Sequence, residues 1–406
     1  MSYMEVPEAS PARVPRGTCK LFGAIKAIGT IRKSAVLVHG PRGCVYHINY
    51  ILGMRGDRPS EVYTTALDEH DVIFGSEDRL REAIEYLDRA LCPELIFVLS
   101  CCASEIIGED VACASREAST GARVVAIAAG GFEGDFHDGY SETLRQLVDQ
   151  LARATVRVDP LAVNLVGMLR AGPDLEDLRQ LLSLTGARVN AVLTAGASLA
   201  ELERLSDAAL NIVVCEPSGT EAARRLEDRF GTPWIVEEFP MGQKATTGFL
   251  ERVARALGLP AGTSHLPAEE VPDLKALREK RIAIVSGPTR AVAVTRLLAA
   301  HGALPRLVAV EFDPSVRERI ERMLGSAGEV LIEPDHERIV EKLREHGIDL
   351  LIGGMLELPV ARSLGIGHVD VMHGSQRTVG VPGAENLLRL LCRAAREVPT
   401  PSSQPR

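Results

Sequence analysis

One unit recurs along this chain: an apolar, β-branched run of four to seven residues, a loop containing Gly or Ser, then a helix-length segment with its charges on one face. That alternation is the pattern of parallel α/β units, in which amphipathic helices cover strands that have no polar face of their own. It predicts an α/β protein built on parallel sheets.

The unit repeats in three sets. The first places strands at Ala35–Val38, Leu95–Leu99 and Val124–Ala128, with helices after Ser76, Ser104 and Tyr140. The acidic pair Glu77 and Asp78 suits a helix first turn, where negative charge meets the positive end of the helix dipole. The second set has strands near Ala191–Thr194, Asn211–Val214 and Trp234–Val236, alternating with the helical patterns ELERLSDAAL, TEAARRLEDRF and GFLERVARALG. The stretch GLPAGTSHLPAEEVPD, 258–273, reads as a linker. The third set opens with RIAIVSGPTR at 281 and runs through LVAVEF, EVLIEP, DLLIGGM and HVDVMHG. A chain of 406 residues suits about two to four domains. We expect three Rossmann-like domains, at 1–157, 158–273 and 274–396, with a disordered tail over 397–406. Ligands of such sheets bind beyond the carboxyl ends of the strands, so residues that follow strands are the functional candidates.

Composition narrows the function classes. No run of about 18 apolar residues is present, and the N-terminus lacks the apolar core of a signal peptide, so a cytoplasmic protein without membrane contact is expected. A net charge of −9 argues against a nucleic-acid partner. In a reducing compartment the eight cysteines do not form a disulfide framework; each is a small buried hydrophobe or a metal or redox group.

Cys44 lies in VLVHGPRGC, after an apolar strand and a loop whose two glycines permit close backbone approach to a bulky ligand. Cys102 follows another such strand in IFVLSCCASEIIGED, and Cys19 lies in GTCKLFGAI. A thiolate that binds iron needs a strand or helix end, where backbone N–H groups offset its charge, and all three positions meet that need. Spacings of 25 and 58 residues, unlike a CxxC pair, by themselves favour buried thiols. At the Cys101–Cys102 doublet an extended backbone would turn the side chains to opposite faces, leaving one for a shared cluster.

HGPRGC at 39–44, TALDEHDVIFG at 65–75 and SCCASEIIGEDV at 100–111 resemble three successive motifs of the nitrogenase component-1 superfamily. That superfamily contains nitrogenase α and β subunits, their assembly scaffolds and related reductases. The resemblance implies that Cys19, Cys44 and Cys102, and not Cys101, hold a P-cluster-like iron–sulfur cluster at the interface with a partner subunit. IVVCEPSGTEAARRLEDRFGTPWI is similar to the α-subunit segment whose cysteine binds one end of a complex iron–sulfur cofactor, which puts Cys215 there. DVMHGSQRTVGVPGAENLLRLL is similar to the segment whose histidine binds the other end, which puts His373 there. SGPTR at 286–290 corresponds to a loop that lies against the cofactor, with Gly287 and Arg290 as contacts. Taken singly, Cys215 also reads as a buried thiol, His373 as a hydrogen-bonded loop histidine and SGPTR as a strand-to-helix turn. The two ligand positions matching in register favour an α-type subunit.

The chain departs from nitrogenase α-subunits in being shorter, in carrying Pro217 where they have an arginine, and in carrying Gly374, Ser375 and Gln376 where they have a tryptophan. In the shortened segment GGFEGDFHDGY, His137 is the one candidate catalytic replacement for their polar residues at the reacting face. These departures point away from dinitrogen and toward a nitrogenase-like reductase of another small substrate, with a methylthio-alkane reductase as the nearest group. The resemblance then implies a homologous β-type subunit in an α2β2 assembly and a separate ATP-dependent [4Fe-4S] reductase homodimer. No GxxxxGK[ST] loop occurs in the sequence, which assigns ATP hydrolysis to that reductase. Two alternatives stay open: a single-cluster reductive cyclase of nickel-sirohydrochlorin diamide, and a non-catalytic scaffold on which a cofactor is assembled.

Overall fold

The run LIFVLS is buried at every one of its six residues, as a strand covered on both faces must be, and it is the pattern for the whole chain. The computed structural model describes residues 19–54, 61–132, 134–372 and 376–397. Three parallel sheets account for the apolar runs. The first contains β1 (Ser34–His39), β2 (Val62–Thr64), β3 (Leu95–Ser100) and β4 (Arg123–Ile127) in the order β2-β1-β3-β4. The second contains β5 (Asp159–Met168), β6 (Arg188–Thr194), β7 (Ala208–Val213) and β8 (Trp234–Val236) in the order β6-β5-β7-β8. The third contains β9 (Ile282–Ser286), β10 (Leu307–Val310), β11 (Glu329–Ile332), β12 (Leu350–Gly353) and β13 (Gly367–Asp370) in the order β11-β10-β9-β12-β13.

Each sheet reverses its strand order once, between β1 and β3, between β5 and β7, and between β9 and β12. Crevices at the carboxyl ends of those pairs are where open parallel sheets take ligands. The first two sheets share an apolar core, through Phe22, Tyr140, Leu144, Val166 and Leu226, whereas the third has its own around Ile284, Val294 and Leu388. Among the described residues no helix is long and apolar enough to cross a membrane.

Two strands escape the sequence pattern. The expected second set lacks β5, the central strand of its sheet, because fully buried Asn164 interrupts its apolar run. Asn164 is satisfied there: its amide donates to Leu205 O at 2.7 Å and to Asn211 Oδ1 at 2.8 Å, and its oxygen accepts from Asn190 at 2.9 Å. The other, β2, is a three-residue edge strand, too short to show a period. The helix expected after Tyr140 begins before it, at Phe136, capped by Asp135, which accepts from the N–H groups of His137 and Asp138.

Candidate metal and cofactor sites

Four candidate cysteines stand at helix N-termini, where unpaired N–H groups and the helix dipole favour a thiolate or another anion. Cys19 caps helix Lys20–Ile28, Cys44 lies in the first turn of helix Arg42–Met54, Cys102 opens helix Cys102–Ile106, and Cys215 caps helix Glu216–Phe230.

Cys19, Cys44 and Cys102 come together at the carboxyl edge of the first sheet, and Cys101 joins them. A Cβ placed on Gly131 would meet Cys19 Cβ at 3.2 Å and Cys102 Sγ at 3.5 Å, so that bare glycine lies against both residues. The Gly131 N–H donates to Cys102 Sγ at 3.2 Å. The two sulfurs of the Cys101–Cys102 doublet pack on different glycines, and the backbone turns from extended at Cys101 to helical at Cys102. The buried Cys101 sulfur packs on Gly40, where a Cβ would stand 2.4 Å away, and lies beside the Cys44 thiol. Donation to Cys101, partial burial and the surrounding sulfurs push the Cys44 thiol up. Accepting from Cys44 lowers Cys101 in spite of its burial, with backbone N–H groups of Ser104 and Ala103 adding to the effect.

Two carboxylates hold the loops that carry these sulfurs. Glu105 accepts from Ser100 Oγ at 2.6 Å and from the Gly130 N–H at 2.8 Å, which fixes the turn leading to Gly131. Glu109 pairs with His39 Nε2 and accepts from Ser76 Oγ at 2.6 Å, while His39 Nδ1 lies 3.0 Å from Thr65 Oγ1. His39, Thr65 and Glu109 belong to the three separate motifs read from the sequence, and this buried network is where those motifs meet.

The second site is a cavity of about 150 Å³ between the carboxyl ends of the second and third sheets. Residues following β5 (Leu169, Arg170), β7 (Cys215), β9 (Gly287, Arg290), β10 (Glu311, Phe312) and β12 (Gly354, Glu357) line it, so both strand-order reversals open onto one space. Cys215 is 5% exposed and its Sγ lies 3.4 Å from Ser218 Oγ. Gly167, in the left-handed region at φ +83°, faces it so closely that a Cβ would meet Cys215 O at 3.1 Å. Pro217 sits in the first turn of the Cys215 helix, where a missing N–H costs nothing. Lys26, Arg170 and Arg290 bring positive charge to walls that also carry Glu311, Glu357 and the rings of Phe136, Phe239 and Phe312. A buried thiol at a helix N-terminus among cations suits an anionic iron–sulfur group, and the sulfur edge of the first sheet suits a second one.

Arg290 reaches the cavity but is already paired: one guanidinium nitrogen donates to Asp174 at 2.7 Å and another to Thr378 Oγ1 at 3.0 Å. His137 is not a wall residue. Its ring stacks on Phe312 with centroids 5.0 Å apart, Phe136 lines the cavity in its place, and burial pushes its pKa below the usual histidine value. His373, with Gly374 and Ser375, lies outside the described residues.

Sequence reasoning missed Lys26, Phe239 and Asp174. Glu311 and Glu357 were findable, since each follows a strand read from the sequence; Arg170 follows β5, which was not, and Lys26 and Asp174 sit on helices and reach the site through tertiary packing. One further cluster, Glu329, Glu345 and His346, has metal-ligand types close together, but Lys342 already occupies it with an ammonium 3.0 Å from Glu329 and 2.9 Å from Glu345.

Comparison with known proteins agrees with this architecture. The family model described as Nitrogenase component 1 type Oxidoreductase matches residues 19–396. Among curated proteins, the nitrogenase iron-molybdenum cofactor biosynthesis protein NifE of Clostridium pasteurianum is 29% identical over 93% of this chain and 86% of its own length. The nitrogenase molybdenum-iron protein beta chain of Methanothermobacter thermautotrophicus is 26% identical over 90% of this chain and 89% of its own. The solved structure of Nitrogenase Cp1 at pH 6.5 superposes with a TM-score of 0.82 at 20% identity, over 99% of this chain and 98% of that one, a likeness of fold.

Proposed function

The chain belongs to the nitrogenase component 1 type oxidoreductase family, and from that premise we propose that it is the cofactor-holding catalytic subunit of a nitrogenase-like reductase. The observation that carries this reading is the cavity where two strand-order reversals meet, walled by Cys215, Lys26, Arg170 and Arg290.

In this reading Cys215 and His373 hold a complex iron–sulfur cofactor, with Gly287 and Arg290 against it. Cys19, Cys44 and Cys102 supply one side of an interface cluster whose other side comes from a homologous β-type subunit. A separate ATP-hydrolysing reductase docks on the assembly. The cofactor, when bound, supplies low-potential electrons at a metal–sulfur surface. The chain's own residues do the rest. The helix N-terminus at Cys215 and the flanking cations offset negative charge, while Phe136, Phe239 and Phe312 exclude water. An apolar small molecule suits such walls better than a charged one, which favours a methylthio-alkane as substrate. Its reduction takes two electrons and two protons, breaks one C–S bond, and releases an alkane and a thiol.

A second reading, a scaffold on which the cofactor is built and then passed on, is favoured by relatives named as cofactor biosynthesis proteins. The experiment that separates them combines the purified complex with its reductase, ATP, a low-potential donor and dimethyl sulfide. Methane and methanethiol produced in equal amounts over many turnovers are expected of the enzyme. No methane, with cofactor moving to an iron-free acceptor, makes the chain a scaffold.

A further inference from the structure

Asp174 stands in the first turn of helix Pro173–Leu184, in the unit built on the second sheet, and is 4% exposed. Both of its carboxylate oxygens accept two hydrogen bonds. Oδ1 accepts from the backbone N–H groups of Thr378, at 2.7 Å, and Val379, at 3.2 Å. Oδ2 accepts from the Thr378 hydroxyl at 2.9 Å and from Arg290 Nη2 at 2.7 Å. Arg290 Nη1 closes the ring by donating to Thr378 Oγ1 at 3.0 Å, and the guanidinium lies over Phe239, 5.2 Å from the ring centre.

The same segment is tied down on both sides. Arg377 pairs with Asp177, at 3.0 Å, on the helix that carries Asp174. The Gly380 N–H donates to Pro240 O at 2.7 Å, and the Gly242 N–H donates to Gly380 O at 3.2 Å. Two backbone amides and a hydroxyl join the segments, and the buried carboxylate also takes a cation as its partner. The fourth bond goes to a residue of the cavity wall, contributed by the first turn of helix Pro288–Ala300 after β9. Two of the five N–H donors of a guanidinium are committed to this ring. Arg290 also lines the cavity, beside Phe239, so the ring holds the cation at the wall.

We propose that Asp174 is a positioning residue: a carboxylate of the second-sheet unit that sets how Arg290, of the third-sheet unit, is presented to an anionic ligand in the cavity. Ligand charge then meets a cation whose orientation is decided by the neighbouring unit. The proposal rests on the cofactor reading for the nature of that ligand, while the hydrogen-bonded ring itself does not depend on it.

Two variants of the full chain test it. Asp174→Asn keeps the size of the side chain and an acceptor for the amides but loses the charge on Arg290. Thr378→Val removes the hydroxyl that bridges the two while the Asp174–Arg290 pair stays together, and serves if the first fails to fold. In the iron-free chain, hydrogen exchange across 376–381 and 288–292 is expected to quicken about tenfold or more in Asp174→Asn and less in Thr378→Val, with β3 unchanged. In the loaded complex, the g-values of the cavity cofactor are expected to shift in both variants while iron per chain stays at the wild-type level. Faster exchange without a spectral shift reduces Asp174 to a structural clamp and overturns the proposal, as does unchanged exchange. A wild-type complex with no cavity signal overturns the cofactor reading itself; a wild-type signal that neither variant moves overturns the role of Asp174 alone.

Discussion

Gly23 and Gly139 face each other's helices at a crossing with no room for a methyl group. A Cβ on Gly23 would stand 1.9 Å from Phe136 O, and one on Gly139 would stand 1.9 Å from Lys20 O. The first of these helices begins at Cys19, beside the sulfur edge, and carries Lys26 to the cavity; the second contributes Phe136 to the cavity wall. The crossing therefore sets how the two sites stand relative to each other.

Gly23→Ala or Gly139→Ala is expected to lower the unfolding free energy by about 3 kcal/mol, since the added carbon meets backbone that cannot turn aside. Gly43→Ala, with nothing within 4 Å of the new Cβ, is the control and should change stability by less than about 1 kcal/mol. Urea unfolding of the three variants reads the difference. Equal midpoints for all three would mean that the helices do not approach this closely.

The His39–Glu109 pair ties together the loops of the first sheet. Removing the histidine alone leaves a buried carboxylate without its partner and should cost about 3 kcal/mol or more. A double variant, His39→Ala with Glu109→Ala, should lose clearly less than the sum of the single losses. Additive losses in denaturant unfolding would show that the two side chains do not interact.

Much of the fold was legible because its strands are buried on both faces and so read as unbroken apolar runs, as β3 and β9 do. The misses have local causes. Asn164 breaks the run of β5, β2 spans three residues, and the helix expected after Tyr140 already contains Gly139, which marks a helix crossing. At the sites, Cys44, Cys102 and Cys215 were legible because each follows a strand. The contact between Cys101 and Cys44 was not, because it depends on where the backbone turns from extended to helical. Lys26 and Asp174 were illegible for a related reason: they come from helices whose partners are distant in sequence.

Acid should weaken the third-sheet unit through Asp349. Its carboxylate accepts from the Arg281 backbone N–H at 2.9 Å, from Nε at 3.0 Å and from Nη2 at 2.8 Å. Burial pushes the Asp349 pKa up, but these bonds outweigh it and hold the group below the ordinary carboxylate value. A depressed folded-state pKa stabilises above the unfolded value of about 3.9, and that contribution is lost as pH falls through the folded value. At pH 6 Asp349→Asn should be less stable than wild type by about 1–2 kcal/mol, and the gap should close below about pH 4. A gap that stays constant from pH 6 to pH 3 would show that Asp349 is not depressed.

The sulfur edge makes a separable prediction. Cys44→Ala and Cys102→Ala should each remove iron from the interface cluster, while Cys101→Ala should retain it. Iron per chain, measured on the anaerobically purified complex, checks this. Equal loss from Cys101→Ala and Cys102→Ala would make the doublet a shared ligand.

The central claim is that Cys215 holds a second cofactor, distinct from the interface cluster. The measurement that reaches it most directly is iron content together with EPR of the anaerobically purified complex under dithionite, comparing wild type with Cys215→Ala. The account predicts that the variant loses one distinct signal and a large share of its iron, with the interface cluster intact. A variant with the iron and spectrum of wild type would contradict it and leave a single-cluster protein.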